Sequence, residues 1–498
     1  MSLVNTSGEP RTDAATSEVV VHHHLLVDGE WRKPYSSSLI QVFSANTEQL
    51  IGSVPDADPV DVDSAVQAAR TAFDDPTGWS HWEPAARAET MRTLADPIDE
   101  RSAEIARRVS DQNGMPIFMS TAAEAHVPSQ ILRYYADSIC TDATEELRGS
   151  SSGGNTLVRR VPVGVVAAVA PWNLPNIISA LKYAPALAAG CTVVLKPSPE
   201  TVLDAILLGE AAQQAGMPPG VFNILFGRRE AGARLVSHPG VDKVSFTGST
   251  ATGRQIGAVC GELLRPVTRE LGGKSAPTIL VDADLDLQRI ARQLATALFE
   301  NNGQTCFLTS RVLAPHGRYD EVVDVIAALA ESIKVGDSLD PATQVGPLVS
   351  RRQRDRVEGY IAKGLAEGAR LVVGGGRPAR RDAGWFVEPT VFADVDNSHT
   401  IAREEIFGPV VTITPYSDDD DAVRIANDSE YGLAATIWTE SAERGTNMAK
   451  RVSVGTVGIN DYIADFHSPT SMVKASGLGV KFGPESLLSY QRFQSVYL

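Results

Sequence analysis

Cysteine is scarce: four residues in 498, with no CxxC pair and no cluster with histidine. So few thiols cannot staple a chain of this length, and their spacing offers no zinc ligand set. No metal is expected, and a reducing, cytoplasmic setting fits. Long apolar runs are missing too. Nowhere do about eighteen apolar residues follow one another, the length a membrane-spanning helix needs. The opening MSLVNTSGEPRTDAATSEVV lacks a basic segment followed by an apolar core and does not read as a secretion signal. Positive charge is in deficit, with 45 Lys and Arg against 61 Asp and Glu, a net charge of −16. That argues against nucleic-acid and anionic-membrane partners, which need a basic surface. His22, His23 and His24 stand together, but three adjacent residues on a strand cannot point the same way.

What is present is an ordinary globular composition in a chain long enough for two or three domains. Residues 1–20 are polar and read as a loose tail. Apolar residues spaced by three and four predict helices between about Val60 and Thr144. RGSSSGGNTLVRRVPVG reads as a small-residue linker entering an extended arm. From 161 to 270, five valine-rich runs (VGVVAAVAP, CTVVLKP, VFNILFG, VDKVSFTG, PVTRELGG) alternate with helical stretches. Their hydrophobicity is continuous rather than alternating, the mark of a parallel sheet covered by helices on both faces. Residues 275–450 predict a second α/β unit, and the C-terminal LLSYQRFQSVYL an extended edge suited to pairing with another subunit's sheet. The fold class is therefore α/β: two doubly wound α/β domains plus an extended arm.

Ligands of open parallel sheets bind outside the carboxyl ends of the strands. That rule gathers Trp172, Asn173, Lys196, Ser198, Gly227, Gly248, Ser249 and Glu270 along one rim. In FTGSTATG, Gly248 lets backbone approach a phosphate at a helix N-terminus, although a plain tight turn has the same sequence. Lys196 is a cation two loops away. Glu270, followed after Leu271 by two glycines, is either a general base or a structural partner of Lys274 or Arg269. Asn173, between Pro171 and Pro175, is either an oxyanion donor or a helix cap. Cys306, in ENNGQTCFLTS, is either a nucleophile or a small buried core residue. An amide, a carboxylate and a thiol together are the minimal set for acyl chemistry through sulfur.

APWNLP, LKPSPET, FTGST, ELGGK, GQTC and EEIFGPV occur in the order and approximate spacing of the NAD(P)-dependent aldehyde dehydrogenase superfamily, and the chain resembles that family over roughly residues 25–498. The resemblance implies a dinucleotide-binding domain from 21–144 and 161–274, a catalytic domain over 275–472, and an oligomerisation arm from 145–160 and 473–498. It makes Cys306 the nucleophile, Asn173 an oxyanion donor with the Cys306 backbone N–H, Glu270 the base that activates hydrolytic water, and Lys182 a proton relay near Glu270. It places Trp172, Lys196 and Ser198 near the adenosine ribose, Gly248 and Ser249 at the pyrophosphate, and Leu271, Glu405 and Phe407 around the nicotinamide and its ribose. Around the aldehyde it implies Leu174, Ile178, Leu181, Phe307, Tyr462 and Phe466. Most of these are apolar or aromatic and none is an arginine, which points to a neutral, fairly hydrophobic aldehyde rather than one carrying a carboxylate.

Two departures stand out. Where many NAD-preferring members carry a glutamate, this chain has Pro199, with Glu200 one residue later; NAD is the expected cofactor and NADP the alternative. The family's FGGxKxSGxGRE appears as TSMVKASGLGVKFGPES, keeping Lys474, Ser476 and Gly477 but not the leading glycines, and Pro484 stands where an acidic residue is common. The alternatives are a semialdehyde or betaine-type dehydrogenase of the same mechanism, a non-catalytic protein on this scaffold, or a thiol hydrolase using His316 or His467. A homodimer or homotetramer is expected.

Overall fold

The computed structural model describes residues 19–498 apart from Ser152 and Arg380. The tail expected over 1–20 lies, as far as residue 18, outside the described residues. Five parallel strands form the centre of the first sheet: Val165–Val169, Thr192–Lys196, Phe222–Ile224, Lys243–Thr247 and Val267–Glu270. Every residue of the first, second and fourth is buried, because crossover helices cover both faces. Continuous apolar runs follow from that double burial. In space the strands run fifth, fourth, first, second, third. The chain starts in the middle, builds to one side, then returns to the other. The order reverses between the first and fourth strands, where a crevice must open at their carboxyl ends.

This sheet has eight strands rather than the five expected. A hairpin, Leu25–Val27 with Glu30–Arg32, adds antiparallel beyond the third strand. Gly477–Leu478 adds antiparallel beyond the fifth, placing Gly477 opposite Glu270. Part of the segment assigned wholly to an arm, 473–498, therefore closes the first sheet beside the candidate base. The extended C-terminus is also interrupted, because Gly483–Leu488 is helical before the strand Gln491–Tyr497.

The helix after the first strand, Pro175–Ala189, starts on a proline, which suits a first turn whose N–H is unbonded anyway, and ends at Gly190 in the left-handed region, φ 91°. All but one of its residues are buried. The second sheet has seven strands in the order Arg370–Val373, Thr390–Ala393, Val410–Tyr416, Arg311–Pro315, Ala276–Ile279, Ala434–Trp438, Thr456–Ile459. Only its first pair is antiparallel. A three-stranded antiparallel sheet carries Gln491–Tyr497, Asn155–Pro162 and Glu145–Gly149. Each large unit has its own apolar core. A small cluster of Cys306, Leu433 and Met472, with Phe307 and Phe407 packed on it, is separate from both.

Candidate active site

A cleft of about 460 Å³ opens at the strand-order reversal, a volume in the range of small-molecule and cofactor sites. The first sheet contributes Trp172 and Asn173 from beyond its first strand, and Thr247, Gly248 and Ser249 from its fourth. The second unit contributes Cys306, Glu405, Phe407 and the helix residues Arg352, Gln353 and Arg356. Ser249 caps the helix Thr250–Glu262 by accepting from the Thr252 N–H at 3.3 Å, so that helix's positive end faces the cleft wall. The rings of Trp172 and Phe407 meet edge to face, 5.2 Å between centroids.

The ELGG turn is built for close approach. A Cβ at Gly272 would sit 2.4 Å from Glu405 Oε2, and one at Gly273 would sit 2.3 Å from the Cys306 carbonyl oxygen. Backbone bars a side chain at Gly273, and one at Gly272 would displace the Glu405 carboxylate. The Gly273 N–H donates to Glu405 Oε1 at 2.9 Å, while burial pushes the Glu405 carboxyl up to about 7. A glycine-lined cleft with a helix N-terminus, a carboxylate and two aromatic rings fits a dinucleotide.

Cys306 follows three residues in the left-handed region: Asn301 at φ 51°, Asn302 at φ 61° and Gly303 at φ 75°. Side-chain amides compensate for that unfavourable backbone. Asn302 Nδ2 donates to the Gly114 and Pro347 carbonyls, each at 2.8 Å, and its Oδ1 accepts from the Gly346 N–H at 2.6 Å. Asn301 Nδ2 donates to the Asn173 carbonyl at 2.9 Å. Asn173 Nδ2 donates to the Gln304 carbonyl at 2.9 Å, which uses one of its two N–H groups and leaves the second to another acceptor. Asn173 is thus not a helix cap; the capping position belongs to Leu174, which makes no side-chain cap bond.

The Cys306 thiol is raised well above its ordinary value by burial, with the nearby Glu270 and Glu405 carboxylates adding to the rise. Lys481 and the residue's own backbone N–H act in the opposite direction. Glu270 pairs with neither Lys274 nor Arg269. Its Oε2 is ion-paired with the Lys481 ammonium and accepts from Thr247 Oγ1 at 3.2 Å. Lys182 Nζ reaches the same hydroxyl at 2.7 Å and Lys481 Nζ reaches it at 3.0 Å. Burial alone would raise the Glu270 carboxyl, but Lys481, Lys182 and Thr247 outweigh it and hold the group below its ordinary value. Lys182 is wholly buried rather than on a helix surface. Burial, then the charge of Lys481, holds its ammonium well below the usual lysine range.

Of the sequence-derived residues, Trp172, Asn173, Gly248, Ser249, Leu271, Cys306, Glu405 and Phe407 border the cleft. Glu270 and Lys182 lie beside it in the Thr247 network. Lys196 and Ser198 are not among its lining residues. Lys196 Nζ donates to the Pro197 and Gly227 carbonyls, and Ser198 Oγ donates to Glu200 at 2.6 Å. The six aldehyde-pocket residues do not border this cleft either. Leu174, Ile178 and Leu181 are buried in the first core, Phe307 stacks on Tyr462 with centroids 4.8 Å apart, and Phe466 packs on Tyr134 at 5.7 Å. His467 is exposed and pairs with Asp465.

Sequence reading missed Thr247, Arg356 and Lys481. Arg356 donates to the Glu405 carbonyl at 2.6 Å, and no local pattern marked it. Lys481 did carry a signal. Counting from Lys474, the motif's closing glutamate falls on position 481 rather than on Pro484, and there this chain reverses the charge.

Residues 31–496 match the model of the aldehyde dehydrogenase family. Geranial dehydrogenase of Castellaniella defragrans is 53% identical over 477 residues, covering 96% of this chain and 99% of that one. The Mycobacterium tuberculosis aldehyde dehydrogenase complexed with NAD+ superposes at TM-score 0.94 with 43% identity, covering 97% of this chain and 99% of that one. An aldehyde dehydrogenase C mutant from Pseudomonas syringae, complexed with NAD+ and octanal, superposes at 0.91 with 36% identity, over 95% and 96% of the two chains. With the cleft, the amide-braced thiol and the ELGG turn already in place, these likenesses show that the chain belongs to the aldehyde dehydrogenase family.

Proposed function

We propose that this protein oxidises a neutral, hydrophobic aldehyde to the carboxylic acid with NAD, through a thioester on Cys306. The observation that carries the reading is the meeting of Cys306, the Asn173 amide and the Glu405-bearing cleft at one strand-order reversal.

The Cys306 thiolate adds to the aldehyde carbon, and the resulting oxyanion receives the second N–H of Asn173 and the backbone N–H of Cys306. Donors already fixed in place stabilise charge that develops only as the carbon–sulfur bond forms. When bound, NAD accepts the hydride that leaves that carbon. The residues that would hold it are Gly248 and Ser249 at the phosphates, Trp172 beside the adenosine, and Leu271, Glu405 and Phe407 at the other end. Glu270 then takes a proton from water as the water attacks the thioester, releasing the acid and the thiolate. Thr247 connects that carboxylate to the buried Lys182, a group that can take up the proton.

Support for NAD comes from the Mycobacterium tuberculosis and Pseudomonas syringae relatives, both complexed with NAD+. The apolar and aromatic residues near Cys306, together with the geranial and octanal relatives, support the substrate class. The exposed Leu147, Phe493 and Tyr497 of the three-stranded sheet support a homo-oligomer, and a cytoplasmic location agrees with four unpaired cysteines.

The test is reduced-nicotinamide absorbance against a panel of terpenoid, aliphatic, aromatic and semialdehyde substrates. Turnover of the apolar members, abolished by Cys306→Ala, is expected. Turnover of carboxylate-bearing semialdehydes alone would overturn the substrate class, and thiol-dependent hydrolysis without cofactor would overturn the reaction.

A further inference from the structure

Resting on that reading, we propose that Lys481 is a positioning residue for the thiol chemistry: its ammonium holds Glu270 in a buried ion pair and supplies the positive charge under which Cys306 sheds its proton.

The geometry singles it out. The Lys481 side chain is 3% exposed and that of Glu270 is 13% exposed. The lysine is delivered by a two-residue strand, Val480–Lys481, only two residues beyond the strand that pairs with Val267–Glu270. Its Nζ touches both Glu270 and Thr247. The charged groups around the thiol and its base act in opposite directions, and Arg352 and Arg356 also line the cleft. Glu405 faces Cys306 across the cleft and opposes ionisation, as does Glu270 itself. Lys182, on the helix Pro175–Ala189, is buried and its ammonium is disfavoured by Lys481. Lys243, on the fourth strand, donates to Thr268 at 3.0 Å and acts on Lys182 rather than on the thiol. Tyr462, beyond Cys306, is neutral, its hydroxyl tied to Thr456. Lys481 is a side-chain cation whose charge favours the thiolate. It counters two carboxylates that would otherwise keep sulfur protonated, and an opposite charge favours an ionised group more where burial excludes water.

The experiment measures carbamidomethylation of the Cys306 peptide by iodoacetamide against pH, by mass spectrometry, in the full-length protein. Peptide-level reading separates it from the exposed Cys140. In Lys481→Met the alkylation midpoint is expected to rise by about one pH unit or more, with roughly a tenfold slower reaction at pH 7 and the same displacement in the ascending limb of kcat/KM. Lys481→Arg, which keeps the charge, is expected to stay closer to wild type than Lys481→Met. If the methionine variant does not fold, Lys481→Gln is read in its place. An unchanged alkylation profile in a folded neutral variant would overturn the proposal. Alkylation requires neither aldehyde nor cofactor, so this result stands apart from wild-type turnover, which tests the proposed reaction.

Discussion

Replacing Asn173 by alanine removes one specific donor and little else. In the resting structure its Nδ2 holds the Gln304 carbonyl, but that oxygen also lies 3.4 Å from Asn301 Nδ2. The loop further keeps the Asn302 bonds to Gly114, Pro347 and Gly346. The loss of one neutral hydrogen bond is about 1 kcal/mol, so the variant is expected to fold and to bind cofactor. In the proposed mechanism the transition-state loss is larger, because the second N–H of Asn173 would be one of two donors to the developing oxyanion. Removing such a donor costs about 2.7–4 kcal/mol, a fall of roughly 10²–10³-fold in kcat. The assay is steady-state reduced-nicotinamide formation, paired with the melting temperature and with the rate of Cys306 alkylation. The expected pattern is a large fall in kcat with near-normal melting and alkylation. A kcat within threefold of wild type would refute the oxyanion role. A parallel collapse of alkylation would show instead that Asn173 serves to hold the thiol loop.

Gly272→Ala would drive a Cβ into Glu405 Oε2, 2.4 Å away; the KM for NAD is expected to rise at least about tenfold, since small misplacements of a site group are felt strongly, while Cys306 alkylation stays normal. Gly303→Ala combines φ 75° with a Cβ 2.1 Å from the Gly408 carbonyl, and a melting temperature within a degree of wild type would contradict the packing described. Glu405 is carried up to about 7 by burial, so between about pH 4.5 and 7 the folded protein binds more protons than the unfolded chain and loses stability as pH rises. Glu405→Gln removes the ionised form and is expected to melt above wild type at pH 8, by on the order of 1–3 kcal/mol, with the gap closing towards pH 5. A gap that widens at low pH would reverse that sign.

The parallel sheet was legible because double burial leaves an unmistakable mark: Val165–Val169 and Thr192–Lys196 contain no alternation to confuse with a half-exposed strand. The rim followed from topology. What escaped was an addition made by distant chain. Gly477–Leu478 is two residues long, too short for periodicity, and it is fixed by pairing to a strand already built. The same holds at the site. Cys306, Glu270 and Asn173 sit in stretches whose glycines and prolines record a backbone constraint. Arg356 sits on an amphipathic helix where one arginine looks like any other. Lys481 shows in the sequence only as a reversed charge within a motif, and its partner appears only when the fold brings it 211 residues back to Glu270.

The most direct test is rapid quenching of Glu270→Gln after mixing with a hydrophobic aldehyde and NAD, followed by mass spectrometry of the Cys306 peptide. The expected result is one equivalent of NADH per subunit and an adduct of the aldehyde's mass less two hydrogens on that peptide, with turnover then stalled. Sustained fast turnover, or an acyl group carried by another residue, would contradict the account.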